Sequence, residues 1–110
     1  MFVAGLTPPY YAVIFTSQRT PAGQEDYHAT ADRMAELASA MPGYLGIESA
    51  RDAGGFGITV SYWRDEESLL NWKAQLEHRG AQERGKREWY DHYETRIARV
   101  ERAYPGPAGR

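Results

Sequence analysis

The chain has 110 residues, 42% of them hydrophobic, with 13 Lys and Arg against 15 Asp and Glu and no Cys. That length suits one compact domain with a modest core, for which help from a second subunit is expected, and the lack of Cys removes disulfides, thiolate metal sites and thiol redox chemistry. No run of 18 apolar residues argues for a membrane-spanning helix, and the opening residues lack the basic start and long apolar stretch of a signal peptide, so the expected compartment is the cytoplasm.

Charge is unevenly spread. Residues 1–78 hold 5 basic and 10 acidic side chains, whereas residues 79–110 hold 8 and 5. The basic third is interrupted by Glu83, Glu88, Asp91, Glu94 and Glu101. It reads as a solvated face rather than a nucleic-acid surface.

In chain order, residues 1–9 read as a loose arm. Tyr10–Ser17 is aromatic, β-branched and almost continuously apolar, as a central strand covered on both faces would be. Thr20-Pro-Ala-Gly23 is turn chemistry. From about Gln24, Tyr27, Ala31, Met34, Leu37 or Ala38 and Met41 follow helical spacing, and Pro42-Gly43 ends the helix. Tyr44–Arg51 is a second strand, Asp52-Ala-Gly-Gly55 a hairpin turn and Phe56–Trp63 a third strand antiparallel to the second.

Asp65 is then a helix cap, with Glu66 and Glu67 in the first turn where negative charge suits the dipole. Leu69, Trp72 and Leu76 form the buried stripe of that helix, which is expected to lose regularity at Gly80 and to continue in pieces to about Tyr90. Glu94–Arg102 is a charged fourth strand, and residues 105–110 a flexible Pro/Gly tail. The order β-α-β, hairpin, α, β predicts a ferredoxin-like α+β domain over residues 10–104, both helices lying on one face of a four-stranded antiparallel sheet. A second copy of the sheet is the simplest cover for the other face.

The succession Met41-Pro-Gly-Tyr-Leu-Gly-Ile-Glu-Ser49, Ile58-Thr-Val-Ser-Tyr-Trp63, Asp65-Glu-Glu-Ser-Leu-Leu-Asn-Trp72 and His78-Arg-Gly-Ala-Gln82 resembles the antibiotic biosynthesis monooxygenase family. The resemblance runs from about Tyr10 to Tyr104. It implies a homodimer whose sheets pack face to face into an α/β barrel. For activity it leaves several possibilities open, since members include cofactor-independent oxygenases of polycyclic phenols, haem-degrading monooxygenases, enzymes acting on small quinone-like or autoinducer-related molecules, and stand-alone proteins with no assigned reaction.

Haem-degrading members carry an Asn in the first strand, a Trp on the second helix and a His about ten residues later. Here Trp72 matches the Trp, but Gln82 stands ten residues on, His78 only six on, and the first strand offers Thr16 or Ser17. Haem is therefore disfavoured and no cofactor is expected. No pair of His combines with Asp or Glu at the i, i+3 or i, i+4 spacing of a helical metal site, and Asp52–Gly57 leads into a strand rather than a helix, so neither a metal nor a nucleotide phosphate is expected.

The expected reaction is cofactor-independent oxygenation of a small phenol- or quinol-like molecule in a cleft between helices and sheet. Phe15, Trp63 and Trp72 are its expected walls, His78 its base, and Ser17, Ser61 and Gln82 its polar positioning groups. Each also has a plainer reading: Trp72 as core within its leucine stripe, Trp63 as the plug at the end of the core, and His78 as a favourable charge near a helix C-terminus. The alternative is a dimeric ligand-binding or non-enzymatic module.

Overall fold

The computed structural model describes residues 2–20, 32, 35–83 and 90–107; for residues 76–83 and 90 it describes the backbone alone. Four strands, β1 (Tyr10–Arg19), β2 (Tyr44–Arg51), β3 (Phe56–Trp63) and β4 (Tyr90–Val100), form one sheet in the order β2-β3-β1-β4, every neighbouring pair antiparallel. Residues 35–39 are helical (α1), and α2 spans Glu66–Glu83. This is the ferredoxin-like arrangement that the element order predicts.

The two faces of the sheet differ because side chains alternate along each strand. On one face Val13 and Trp63 pack with Ala38 of α1 and Leu69 and Trp72 of α2, and Tyr11, Leu37, Met41 and Tyr44 border them. Both described helices therefore lie on this side. The opposite face carries Tyr10, Ala12, Ile14, Val60 and Tyr62, with Phe56 and Ile58 49% and 43% exposed toward the β2-β3 hairpin.

Local chemistry sets the junctions. The Asp65 carboxylate accepts from the Ser68 amide at 2.8 Å, satisfying a first-turn N–H of α2. Gly43 turns the chain from α1 into β2 at φ +83°, and a Cβ there would lie 2.0 Å from Ser68 Oγ, so the helix start packs directly on that turn. In the hairpin, Asp52 accepts from the Gly55 amide through its carbonyl and from the Phe56 amide through its carboxylate.

Three expectations differ from the structure in extent. α2 continues through Gly80 to Glu83, because a single glycine costs a helix only about 1 kcal/mol and the preceding turns are anchored by Leu69 and Trp72. β1 runs on to Arg19 and β4 begins at Tyr90, since each supplies the other's ladder partners: Ser17 faces Tyr93, Gln18 faces His92 and Arg19 faces Tyr90. The start of the first helix, Trp89 and the Gly85 interruption lie outside the described residues.

The stretch ahead of β1 is tied to the opposite face of the sheet. The Val3 amide donates to Glu48 Oε2 at 2.8 Å, the Tyr62 hydroxyl donates to Glu48 Oε1 at 2.6 Å, and Val3 lies so close to Gly46 that a Cβ there would meet it at 2.7 Å. The bonds from Tyr62 and then Val3 hold the Glu48 carboxyl below the usual carboxylate range, while burial, reinforced by Glu48, pushes the Tyr62 phenol up to about 12. Glu48 thus contributes stability above the ordinary carboxylate pKa that is lost as pH falls through its lowered value. Glu48→Gln is expected to be less stable than wild type at about pH 7, with the gap narrowing as pH falls below the ordinary carboxylate range, as read from denaturant midpoints across that range.

Candidate functional site

On the helix-facing side, alternation brings Trp63, Ser61 and Thr59 of β3, Val13, Phe15 and Ser17 of β1, Ile47, Ser49 and Arg51 of β2, and Tyr93, Thr95 and Ile97 of β4 onto one surface. One end of this surface is closed by α1 and α2 over an aromatic cluster. Trp63 is fully buried; it stacks on Trp72 at 5.9 Å and 23°, and meets Tyr44 edge-on at 5.7 Å and 77°. Such pairs contribute about 0.5–1.5 kcal/mol each beyond the area they bury. Burial also raises the Tyr44 phenol above its ordinary value.

Away from that cluster the surface becomes polar. Phe15 and Tyr93 pack at 5.2 Å between ring centres. Ser49 and Thr59 share a hydrogen bond of 3.1 Å across β2 and β3. Ser61, 5% exposed, accepts from the Trp63 indole N–H at 2.9 Å, and Ser17, 2% exposed, accepts from Arg51 Nη2 at 2.9 Å. Arg51 Nη1 also donates to the carbonyls of Gly55 and Ser17, which fixes the guanidinium over the end of the sheet.

Of the residues singled out from the sequence, the structure brings Phe15, Ser17, Ser61, Trp63 and Trp72 onto one side of the sheet. Trp63 and Trp72 are packed inside the core, so any cleft on this surface has them as its back rather than as an open wall. His78 and Gln82 stand in the last two turns of α2, and their side chains lie outside the described residues. His92 is on exposed β4, paired with Glu94. Among the described residues no group of three His, Cys, Asp or Glu is placed to hold a metal ion, and no helix is long and apolar enough to cross a membrane.

Sequence reasoning missed Arg51, Thr59 and Tyr93. Arg51 looks like an ordinary charge at the end of a strand, and nothing local shows that it folds back over the sheet. The available signal was its cross-strand partner Gly57: a Cβ there would sit 2.8 Å from the Arg51 guanidinium carbon. An open depression of about 350 Å³ on the same hairpin, lined by Ala50, Arg51, Asp52, Phe56, Gly57 and Ile58, is a separate feature at the end of the sheet.

With this geometry in view, comparison with known proteins decides the family. Residues 10–84 match the model of the family described as antibiotic biosynthesis monooxygenase. The chain belongs to that family. It is 47% identical over 95 residues, 86% of this chain and 82% of the relative, to the uncharacterized protein YqjZ of Bacillus subtilis. It is 30% identical over 94 residues to the jasmonate monooxygenase ABM of Pyricularia oryzae, covering 82% of this chain and 43% of that protein. Among solved structures, SnoaB, a cofactor-independent oxygenase from Streptomyces nogalater, superposes with a TM-score of 0.70 at 14% identity, covering 90% of this chain and 100% of that one. At that identity the likeness is one of fold.

Gly57→Ala tests the Arg51 arrangement. The new Cβ would also lie 2.9 Å from the Ala50 carbonyl, a backbone atom that cannot swing aside. The expected outcome is a loss of about 1–3 kcal/mol in denaturant unfolding, with Arg51 displaced from Ser17 in a structure of the variant.

Proposed function

We propose that this member of the family is a cofactor-independent monooxygenase acting on a small, electron-rich aromatic molecule of the phenol or quinol class, bound on the helix-facing side of the sheet. The observation that carries the reading is that Phe15 and the nearly buried hydroxyls of Ser17 and Ser61 share one face, backed by the Trp63–Trp72 stack. An aromatic surface with a few fixed polar groups is what a flat, oxygen-bearing ligand requires. Two relatives named as a monooxygenase and a cofactor-independent oxygenase add support.

In this reading the base, His78, takes the proton of the phenol, and the resulting anion passes one electron to O₂. The radical pair couples to a peroxide anion, and the proton held by His78 returns to it to give a hydroperoxide. Its O–O bond then breaks with loss of water, leaving one oxygen atom in the product, so the substrate supplies every electron and no external reductant enters. The protein's share is to hold the anion, position it and exclude bulk water. Gln82 is the further polar group of the site.

The test is O₂ consumption with a panel of anthrones and hydroquinones. Consumption above the uncatalysed rate is expected, falling about 10²-fold or more in His78→Ala. No excess over the uncatalysed rate, together with no effect of that substitution, would leave a ligand-binding module as the better account.

The same reading includes a homodimer formed sheet to sheet. Its support is the opposite face, where Phe56 and Ile58 are about half exposed beside Ile14 and Val60 and one end is held by the Val3 contact. Sedimentation at micromolar concentration should give a dimer, and Ile58→Lys should shift it toward monomer; a wild-type monomer would refute the pairing.

A further inference from the structure

Ser17 and Ser61 share an unusual arrangement. A serine hydroxyl can donate one hydrogen bond and accept two. Each of these accepts one from a strong donor, the Arg51 guanidinium and the Trp63 indole respectively, and neither donates to any group among the described residues. Both are more than nine-tenths buried. A buried hydroxyl proton without an acceptor is costly, and native structures rarely leave one so.

The register explains why the described strands offer no side-chain acceptor to Ser61. Its cross-strand neighbours are Val13 on β1 and Ile47 on β2, both apolar. The next residue of β3 on that face, Thr59, shares its hydroxyl with Ser49. Ser17 is flanked by Gly57, which has no side chain, and by Tyr93, whose ring packs on Phe15. With the indole and the guanidinium on the accepting side, each hydroxyl keeps one donor direction that no described residue uses. Accepting from a polarised N–H makes each hydroxyl the stronger donor.

Building on the substrate site proposed above, we infer that Ser17 and Ser61 are paired donors to acceptor oxygens at the two ends of one elongated ligand. Ser17 stands four residues along β1 from Val13, the partner of Ser61 on the neighbouring strand, which puts the backbone positions of the two serines roughly 14 Å apart. The ligand class is a flat molecule longer than a single ring with a carbonyl, phenol or phenolate oxygen at each end. Trp63 is a positioning residue: it is fully buried, its one N–H is committed to Ser61, and it acts on the ligand through that hydroxyl.

Two measurements test this. In a crystal structure of the ligand-free full chain, an ordered water should lie within hydrogen-bond distance of each hydroxyl on the helix-facing side; water at neither would overturn the donor assignment. With 4,4′-dihydroxybiphenyl as the probe, Ser17→Ala and Ser61→Ala should each weaken binding about tenfold, whereas hydroquinone, too short to span the pair, should respond to only one of them. Trp63→Phe should weaken the diol in the wild-type background and add nothing in Ser61→Ala. Failure of the diol to bind wild type, unchanged affinity in both serine variants, or a full Trp63→Phe effect without Ser61 would each overturn the inference. Binding that depends on the serines without O₂ consumption would remove the oxygenase reading and leave the donor pair standing.

Discussion

The indole of Trp63 is the contact on which the rest of this structure depends. It closes β3, faces Tyr11 on β1 and Tyr44 on β2 across the ladder, stacks on Trp72 of α2, and donates to Ser61 behind it. Sheet, helix and a candidate ligand group meet at one side chain. Replacing such a residue with alanine ordinarily costs about 3–5 kcal/mol, a large share of what a domain of this size has.

The alternation of the strands separates two jobs. The parity of Trp63, Ser61, Val13 and Ser17 faces the helices and carries the candidate site; the parity of Tyr62, Ile58 and Ile14 faces the other way and carries the exposed apolar patch. A one-residue slip between β1 and β3 would exchange them. Pinning devices lie at both ends of the β2-β3 pair: the Asp52 turn with the Arg51 guanidinium over Gly57 at one, and Gly43 against Ser68 at the other. The Glu48–Tyr62–Val3 bonds add a third tie on the outer face, placing the chain ahead of β1 beside the patch without covering Phe56 or Ile58.

Much of the fold was legible because its signals are local. Asp52-Ala-Gly-Gly55 and the runs on either side specify β2, β3 and their hairpin, and Asp65 with Glu66 and Glu67 specifies the start of α2. The extents of β1, α2 and β4 were less legible, since they depend on partners distant in the chain: Arg19 is a strand residue because Tyr90 pairs with it, and α2 passes Gly80 because its earlier turns are anchored on the core. The site divides in the same way. Phe15, Ser17 and Ser61 could be picked out as residues of one strand parity, but the Arg51–Ser17 and Trp63–Ser61 bonds are side-chain geometry that spacing does not encode.

By itself the sequence determined the element order, the hairpin, the capped second helix and the family, all of which follow from periodicity, turn chemistry and motif. Only the tertiary structure decided that the Trp63 indole donates to Ser61 and that Arg51 folds over Gly57 onto Ser17. The physical reason is range. Backbone preferences and amphipathic periods are set by neighbours within a few residues, whereas the partner of a buried hydrogen-bonding group is chosen by whatever the completed sheet brings within about 3 Å of it.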